Sequence, residues 1–290
     1  MPPTPPPASP PVRSPLDAFI RRFQFVSYLT AVMALYAICI LALGLAMTPA
    51  LWLISTVSAL GAVADSAGWF YWPMMGITVA ASFFLTGFTL LLVVPAFNKL
   101  LPTRVDRFKG AYYTIAALPW FIHNALFYLV RFSFLPFVTL TPFGLWFLKA
   151  MGMKIGKRAY VNTELFSDPQ LITLEDDVVI GGSATIFGHY GGGGHLVIEP
   201  VIIRKGATIG LRATVMGDVI VGAGATILPH SVLLPGSRVG DGETWGGVPA
   251  RPIPREEMDR FKALIRGEAA PVGTRDGVSS GPPLGDLSVG

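Results

Sequence analysis

One repeat constrains this chain more than any other feature. Ile203, Ile209, Val215, Val221, Ile227, Leu233 and Val239 are all aliphatic and stand six positions apart. Four positions after each anchor come Ala207, Ala213, Val219, Ala225, Ser231 and Ser237, small apart from the valine, before Glu243 ends the series. Gly210, Gly222 and Gly240 directly follow three of the anchors. Six residues turn an α-helix through about 600°, which would scatter the anchors around its surface. A plain strand alternates with period two and needs no glycine at regular intervals. Short strands joined by sharp corners do fit. Three such sides close a triangular coil, with the anchors stacked inside and small residues at the crowded corners, which is a parallel β-helix. The glycines are expected at corners where φ turns positive.

The same pattern reaches upstream through Ile155-Gly156, Val161, Leu174, Ile180 and Ile186, with Val197 leading into the main ladder. The step from Ile186 to Val197 is one residue short of two repeats, so residues 188–195 are expected to leave the ladder as a loop. That loop holds His189 and His195 on either side of Tyr190 and four glycines. A loop held by a rigid scaffold is where catalytic groups tend to sit, and a neutral imidazole can take a proton near neutral pH.

The first half of the chain has a different chemistry. Hydrophobic residues make up 52% of the sequence and charged ones 14%, against roughly 25% charge in ordinary soluble proteins. Between Phe23 and Asn98 there is no Lys or Arg, and Asp65 is the one formal charge. Residues 23–47 are long enough to span a bilayer, as are 74–97. Thr48-Pro49 is expected to end the first span, leaving 50–64 as an interfacial segment or an extension. Arg13, Arg21 and Arg22 precede the first span, and Lys99, Arg104, Arg107 and Lys109 follow the second. By the positive-inside rule both ends face the cytoplasm, giving a multi-pass protein of the cell (inner) membrane with a cytoplasmic β-helix. Residues 111–130 and 133–148 are read as a re-entrant or in-plane pair, because a third crossing would put the basic residues 149–158 outside. Within it, His123-Asn124 either lines a site or satisfies hydrogen bonds between helices.

The domain organisation that follows is a Pro-rich arm (1–18), a membrane region (19–148), the β-helix (153–253), a capping helix (254–266) and a Gly/Pro/Ser-rich tail (267–290). The single Cys39 excludes a disulfide framework and a cysteine metal site. The net charge of +4 shows no interleaving of basic and aromatic residues on one face, so no nucleic-acid partner is expected.

The run Ile186-Phe187-Gly188-His189, the ladder, and Trp245-Gly246-Gly247-Val248-Pro249-Ala250-Arg251 together resemble the hexapeptide-repeat acyltransferases. A second resemblance, over roughly 110–253, is to the membrane-embedded C-terminal region of ε-poly-lysine-synthetase-like peptide synthetases. The family resemblance implies a left-handed parallel β-helix, acyl-CoA (acetyl-CoA) as donor, no metal, and a homotrimer with its sites between subunits. It makes His189 the general base and assigns the oxyanion-supporting backbone amide to Leu211, after Ile209-Gly210. It assigns coenzyme A contacts to Gly210, Ala223, Gly224, Gly246, Gly247, Pro249, Ala250 and Arg251. Lys205, Arg251 and Arg255 are candidates for the nucleotide phosphates, and Glu164, Asp168 and Glu199 for orienting the imidazole. The apolar segments before the β-helix imply a lipid bilayer partner and a membrane-associated hydroxyl or amine acceptor. Two other readings of the residues stand beside this one. The chain is a non-enzymatic β-helix scaffold or peptide-synthetase-associated membrane subunit, or His189, His195 and His230 hold zinc as in γ-type carbonic anhydrases, which needs three ligands.

Overall fold

The computed structural model describes residues 22–63, 68–112, 114–254 and 256–260. The Pro-rich arm and the C-terminal tail lie outside the described residues. So does most of the capping segment, of which residues 256–260 are helical and belong to a separate unit beginning at Ile253.

Two long helices open the chain, α1 (Gln24–Val63) and α2 (Gly68–Leu100). Both are long and apolar enough to cross a membrane by length and composition. The break expected at Thr48-Pro49 does not occur, and α1 runs through it for 40 residues. Proline costs the helix one N–H, a loss that an apolar helix tolerates when neighbouring groups take up the freed carbonyls. The carbonyl that Pro49 leaves without its N–H is that of Leu45; beside it, Thr48 Oγ1 donates to the Gly44 carbonyl at 3.0 Å, and Ser82 Oγ on α2 reaches the Ala50 carbonyl at 3.5 Å, so α2 packs against α1 across this stretch.

The third apolar region is broken into short pieces: a strand at Phe108–Ala111, a 3-10 turn at Ile115–Ala117, then α3 (Leu118–Arg131), α4 (Leu135–Val138) and α5 (Pro142–Ala150). The 14 residues of α3 rise about 21 Å, short of the roughly 30 Å hydrocarbon layer. α2 packs on α4 and α5 through Phe83 and Phe88, whose rings meet Phe137 and Phe143 edge-on at 5.1 Å. A Cβ at Gly87 would stand 2.1 Å from the Phe134 ring, so only glycine admits this approach.

From Lys154 the chain winds as a parallel β-solenoid of three faces. Ile155, Leu174, Ile203, Val221 and Val239 stack along the first face. Val161, Ile180, Ile209, Ile227 and Trp245 stack along the second, and Phe166, Ile186, Val215 and Leu233 along the third. The aliphatic anchors from Ile203 to Leu233 are wholly buried, and Trp245 packs half-buried against the last of the core. The glycines after the anchors serve a different end from the one expected. Gly210, Gly222 and Gly240 do not have positive φ. A Cβ on Gly210 would lie 2.5 Å from the Pro229 backbone nitrogen, and one on Gly222 would lie 2.5 Å from Gly240. Gly210 and Gly222 are small because the next coil's backbone passes directly over them, and Gly240 because the Glu243 carboxylate folds back onto it.

Two departures from the repeat fall on the same edge, between the third face and the first. Val161 and Leu174 are 13 positions apart instead of 12, and the surplus is used at Asp168 and the 3-10 turn Pro169–Leu171. One coil later, Ile186 and Ile203 are successive anchors 17 positions apart rather than six. That insertion is no irregular loop. His189–Gly192 and His195–Ile198 form an antiparallel hairpin, and Phe108–Ala111 from the segment before α3 joins it as a third strand. Val197 therefore pairs with Tyr190 and Lys109 and is not part of the ladder.

Candidate active site

Ser167 and Phe187 are register partners in adjacent coils, so Asp168 and Gly188 leave the ladder one above the other. Asp168 adopts a left-handed conformation, φ 59° and ψ 53°, which aspartate tolerates better than most residues. This turn sends its carboxylate inward, where it is completely buried. Oδ2 accepts from the Gly188 backbone N–H at 3.0 Å and lies 2.5 Å from His189 Nδ1. Oδ1 accepts from Trp120 Nε1 at 2.6 Å and Asn124 Nδ2 at 2.8 Å, both on α3. Burial alone would raise the Asp168 pKa. The His189 hydrogen bond and charge outweigh it, with Asn124 and Trp120 adding to them, and hold the carboxyl below the usual carboxylate range.

With all four partners donating, Asp168 is an ionised acceptor and His189 carries its proton on Nδ1. Nε2 is then left with a free lone pair. The imidazole is further held by Trp120, edge-on at 5.0 Å, and by Phe187 at 5.9 Å. Behind the pair, Asn124 Oδ1 accepts from Ser167 Oγ at 3.1 Å, and Tyr128 meets the same hydroxyl at 2.5 Å. One face of α3 thus supplies Trp120, Asn124 and Tyr128, at successive i,i+4 positions, to the base of the site.

The structure selects among the three acids considered for orienting the imidazole. Glu199 faces Arg107 at 3.5 Å, Glu164 lies at a different corner, and Asp168 takes the histidine. Trp120 and Asn124 are contributors that periodicity did not reveal, since their role depends on how α3 docks. The signal for Asp168 was present in the sequence, as the one-residue surplus in its coil. Neighbouring His123 points elsewhere. Its Nδ1 lies 2.8 Å from Asn98 Oδ1 and 3.0 Å from Gln170 Nε2, tying the end of α2 to the 3-10 turn. Burial pushes its imidazole down to about 4, against the opposing pull of Asp168, so it is neutral near pH 7. The two expectations for His123-Asn124 thus divide between the residues: His123 makes the hydrogen bond between helices, and Asn124 lies at the candidate site.

The remaining sequence-derived residues are not brought to His189 within one chain. Gly210 and Leu211 form the corner between the second and third faces, and Gly246, Gly247, Pro249 and Ala250 end the solenoid at the same edge. There Gly247 N–H donates to Ser231 Oγ at 3.2 Å, and Ala250 N–H to the Val232 carbonyl at 2.8 Å. Arg251 starts a terminal strand that pairs antiparallel with Gly246. Ala223 and Gly224 turn the corner between the first and second faces, and Arg255 lies outside the described residues. The next coil over His189 presents Gly217 instead. A Cβ there would stand 3.1 Å from the Gly188 carbonyl carbon, and its N–H has no hydrogen-bond partner among the described residues. His195 sits at the hairpin's far end with Nδ1 3.2 Å from the Gly193 carbonyl. His230 is exposed on a regular corner with φ 58°.

No protein-family profile matches the chain. It is 28% identical over 107 residues to a delta-poly-L-ornithine synthetase of Acinetobacter baumannii, covering 37% of this chain and 8% of that protein's length. Solved structures similar to it include a hexapeptide-repeat acetyltransferase of Vibrio cholerae complexed with acetyl coenzyme A. That chain has 23% identity and a TM-score of 0.33, with 36% of this chain and 60% of that one covered. A galactoside acetyltransferase in complex with coenzyme A has 16% identity and a TM-score of 0.40, with 50% and 85% covered.

Proposed function

We propose that this chain is a membrane-bound acyltransferase that moves an acetyl group from acetyl-CoA to a hydroxyl or amine of a membrane-associated acceptor, with His189 as general base. The observation that carries the reading is the buried Asp168 carboxylate, which fixes the His189 tautomer so that Nε2 can accept a proton. The Trp245–Arg251 end and the Gly188-His189 run, in their resemblance to hexapeptide-repeat acyltransferases, supply the donor class. The two long apolar helices support attachment to the inner membrane with the solenoid on the cytoplasmic side, where acyl-CoA is made.

The reaction is a direct transfer. As the acceptor oxygen or nitrogen attacks the thioester carbonyl, its proton passes to Nε2 and the carbonyl electrons move to oxygen. Collapse of the tetrahedral species breaks the carbon–sulfur bond, and the imidazolium returns the proton to the leaving coenzyme A thiolate. Asp168 stabilises the imidazolium in between, the part a buried carboxylate plays in a hydrolase triad. Within the chain we assign the oxyanion contact to the N–H of Gly217, whose coil passes next to Gly188, a contact worth about 3–4 kcal/mol. The amide of Leu211 serves instead if a homotrimer sets the 210–211 corner of one subunit against the hairpin of the next. The same arrangement would bring Ala223, Gly224, Gly246, Gly247 and Arg251 along the coenzyme.

The test incubates purified full-length protein with labelled acetyl-CoA and a total membrane extract. His189→Ala should abolish label transfer with the fold intact, and His230→Ala should not. Full transfer by His189→Ala would remove the general-base assignment.

A further inference from the structure

Between the first turns of α1 and the segment 112–121 lies a cavity of about 150 Å3. Its walls are mainly apolar, with Ala31, Val32 and Leu35 on one side and Ile115, Leu118 and Phe121 on the other. An apolar cavity of roughly this size stays dry and admits a small hydrocarbon. Ser27, Tyr28, Tyr112 and Thr114 bring polar atoms to the lining. Of these, Ser27 Oγ is buried and has no hydrogen-bond partner among the described residues, which is costly unless a ligand supplies one.

The cavity adjoins the candidate active site through contacts already on the same segment. Phe121, in its wall, meets Trp120 edge-on at 4.8 Å, and Trp120 meets the His189 ring at 5.0 Å. Tyr112, also in the wall, lies against the catalytic hairpin. Its backbone N–H donates to the Gly194 carbonyl at 3.2 Å, and a Cβ on Gly191 would stand 2.0 Å from its hydroxyl. The other wall is the end of a helix long and apolar enough to cross a membrane. Phe121 and Trp120 are the two rings that link this wall to the His189 imidazole.

We infer that this cavity holds the hydrocarbon chain of the acyl acceptor, with Ser27 meeting a polar atom near its head and the reacting hydroxyl or amine reaching His189. The inference rests on the acyltransferase reading and gives the acceptor a class, a single-chain or multi-chain lipid. The acyl chain of a long-chain donor has the same chemistry, so the test must separate the two sources.

The full-length protein is placed in vesicles of phosphatidylethanolamine and phosphatidylglycerol doped with a phospholipid carrying a diazirine on its acyl chain. Irradiation should label 114–121, and Ala31→Trp, which fills the cavity, should remove that label while leaving labelling of 68–100 unchanged. Leu118→Trp fills it from the opposite wall, and either variant must retain the wild-type melting temperature to be used. Displacing three methylenes should weaken lipid binding on the order of fiftyfold, at about fourfold each. In the activity arm, both variants should lose acetyl transfer from acetyl-CoA to extracted lipid by a similar factor. If they instead lose only the use of palmitoyl-CoA, the cavity serves the donor and the acceptor assignment falls. Label on 114–121 that is absent, or unchanged in both variants, overturns the inference outright. If labelling responds as expected but wild-type protein transfers no acyl group, hydrocarbon binding stands and the acyltransferase reading fails, taking the acceptor role with it.

Discussion

Replacing Asp168 by asparagine probes the site at its most constrained atom. The carboxylate accepts four hydrogen bonds, from Gly188, His189, Trp120 and Asn124, two on each oxygen. Asparagine keeps the shape and exchanges one oxygen for a donor NH2. Placed at the Oδ1 position, that NH2 would face the Trp120 and Asn124 donors, neither of which can accept from it in this orientation. Placed at the Oδ2 position, it faces Gly188 and His189, and histidine can adapt by moving its proton to Nε2. The second arrangement is the less costly, and it converts the general base into a donor. In a hydrolase triad the equivalent change lowers kcat by about 10^4, and a loss of 10^3–10^4 is expected here. Stability should also fall. Two charge-assisted bonds weaken to neutral ones and the Gly188 N–H is left facing a donor, a cost of about 1–3 kcal/mol for the unsatisfied buried donor. The assay pairs thiol release from acetyl-CoA, at saturating lipid extract, with thermal unfolding in detergent. A folded Asp168→Asn protein within tenfold of wild-type kcat would refute the claim that the carboxylate sets the tautomer. A protein losing activity with no loss of stability would refute the account of the buried hydrogen bonds.

Three further outcomes are expected. The folded-state pKa of Asp168 is depressed, so its contribution to stability is present above the ordinary aspartate value of about 3.9 and disappears as pH falls through the depressed value. The stability gap between wild type and Asp168→Asn, followed by denaturant titration, should therefore close in strong acid, and a gap constant with pH would count against an ionised carboxylate. Reporter fusions at 60–68 and after 266 should report opposite sides of the membrane, with the C-terminal reporter cytoplasmic; a periplasmic signal from it would reverse the topology and the donor with it. Native mass spectrometry of detergent-solubilised protein should show a homotrimer, and an active monomer at working concentration would remove the shared-site arrangement of Leu211 and His189.

The segment that holds His189 is legible in the amino-acid order, and the family resemblance singles out His189 over His195. His189 closes a run that leaves a six-residue repeat, and a broken repeat on a rigid scaffold marks the place where side chains are free to do chemistry. Its partner is legible there only as one of three acids. Choosing Asp168 over Glu164 and Glu199 requires knowing that Asp168 and Gly188 stack at one edge. That follows from a 13-residue spacing whose surplus lands at a left-handed residue. Trp120, and the partner of Asn124, are hidden for a different reason. The i,i+4 spacing of Trp120 and Asn124 marks a helix face, and what a face meets is decided by docking rather than by sequence distance.

The sequence by itself determined the solenoid, because a period of six with small corner residues has one way to bury its aliphatic anchors. It also determined that two long apolar helices precede it, since so many residues without charge cannot be solvated as loops. Only the tertiary structure decided that Pro49 leaves α1 unbroken, because α2 packs alongside this stretch, with Ser82 Oγ 3.5 Å from the Ala50 carbonyl. It also turned the expected loop at 188–195 into a hairpin, because a strand from before α3 pairs with it across about ninety residues of chain. Local periodicity reports which residues must be buried together. It does not report which distant segment supplies the last hydrogen bonds, and the buried base of this site is built from such bonds.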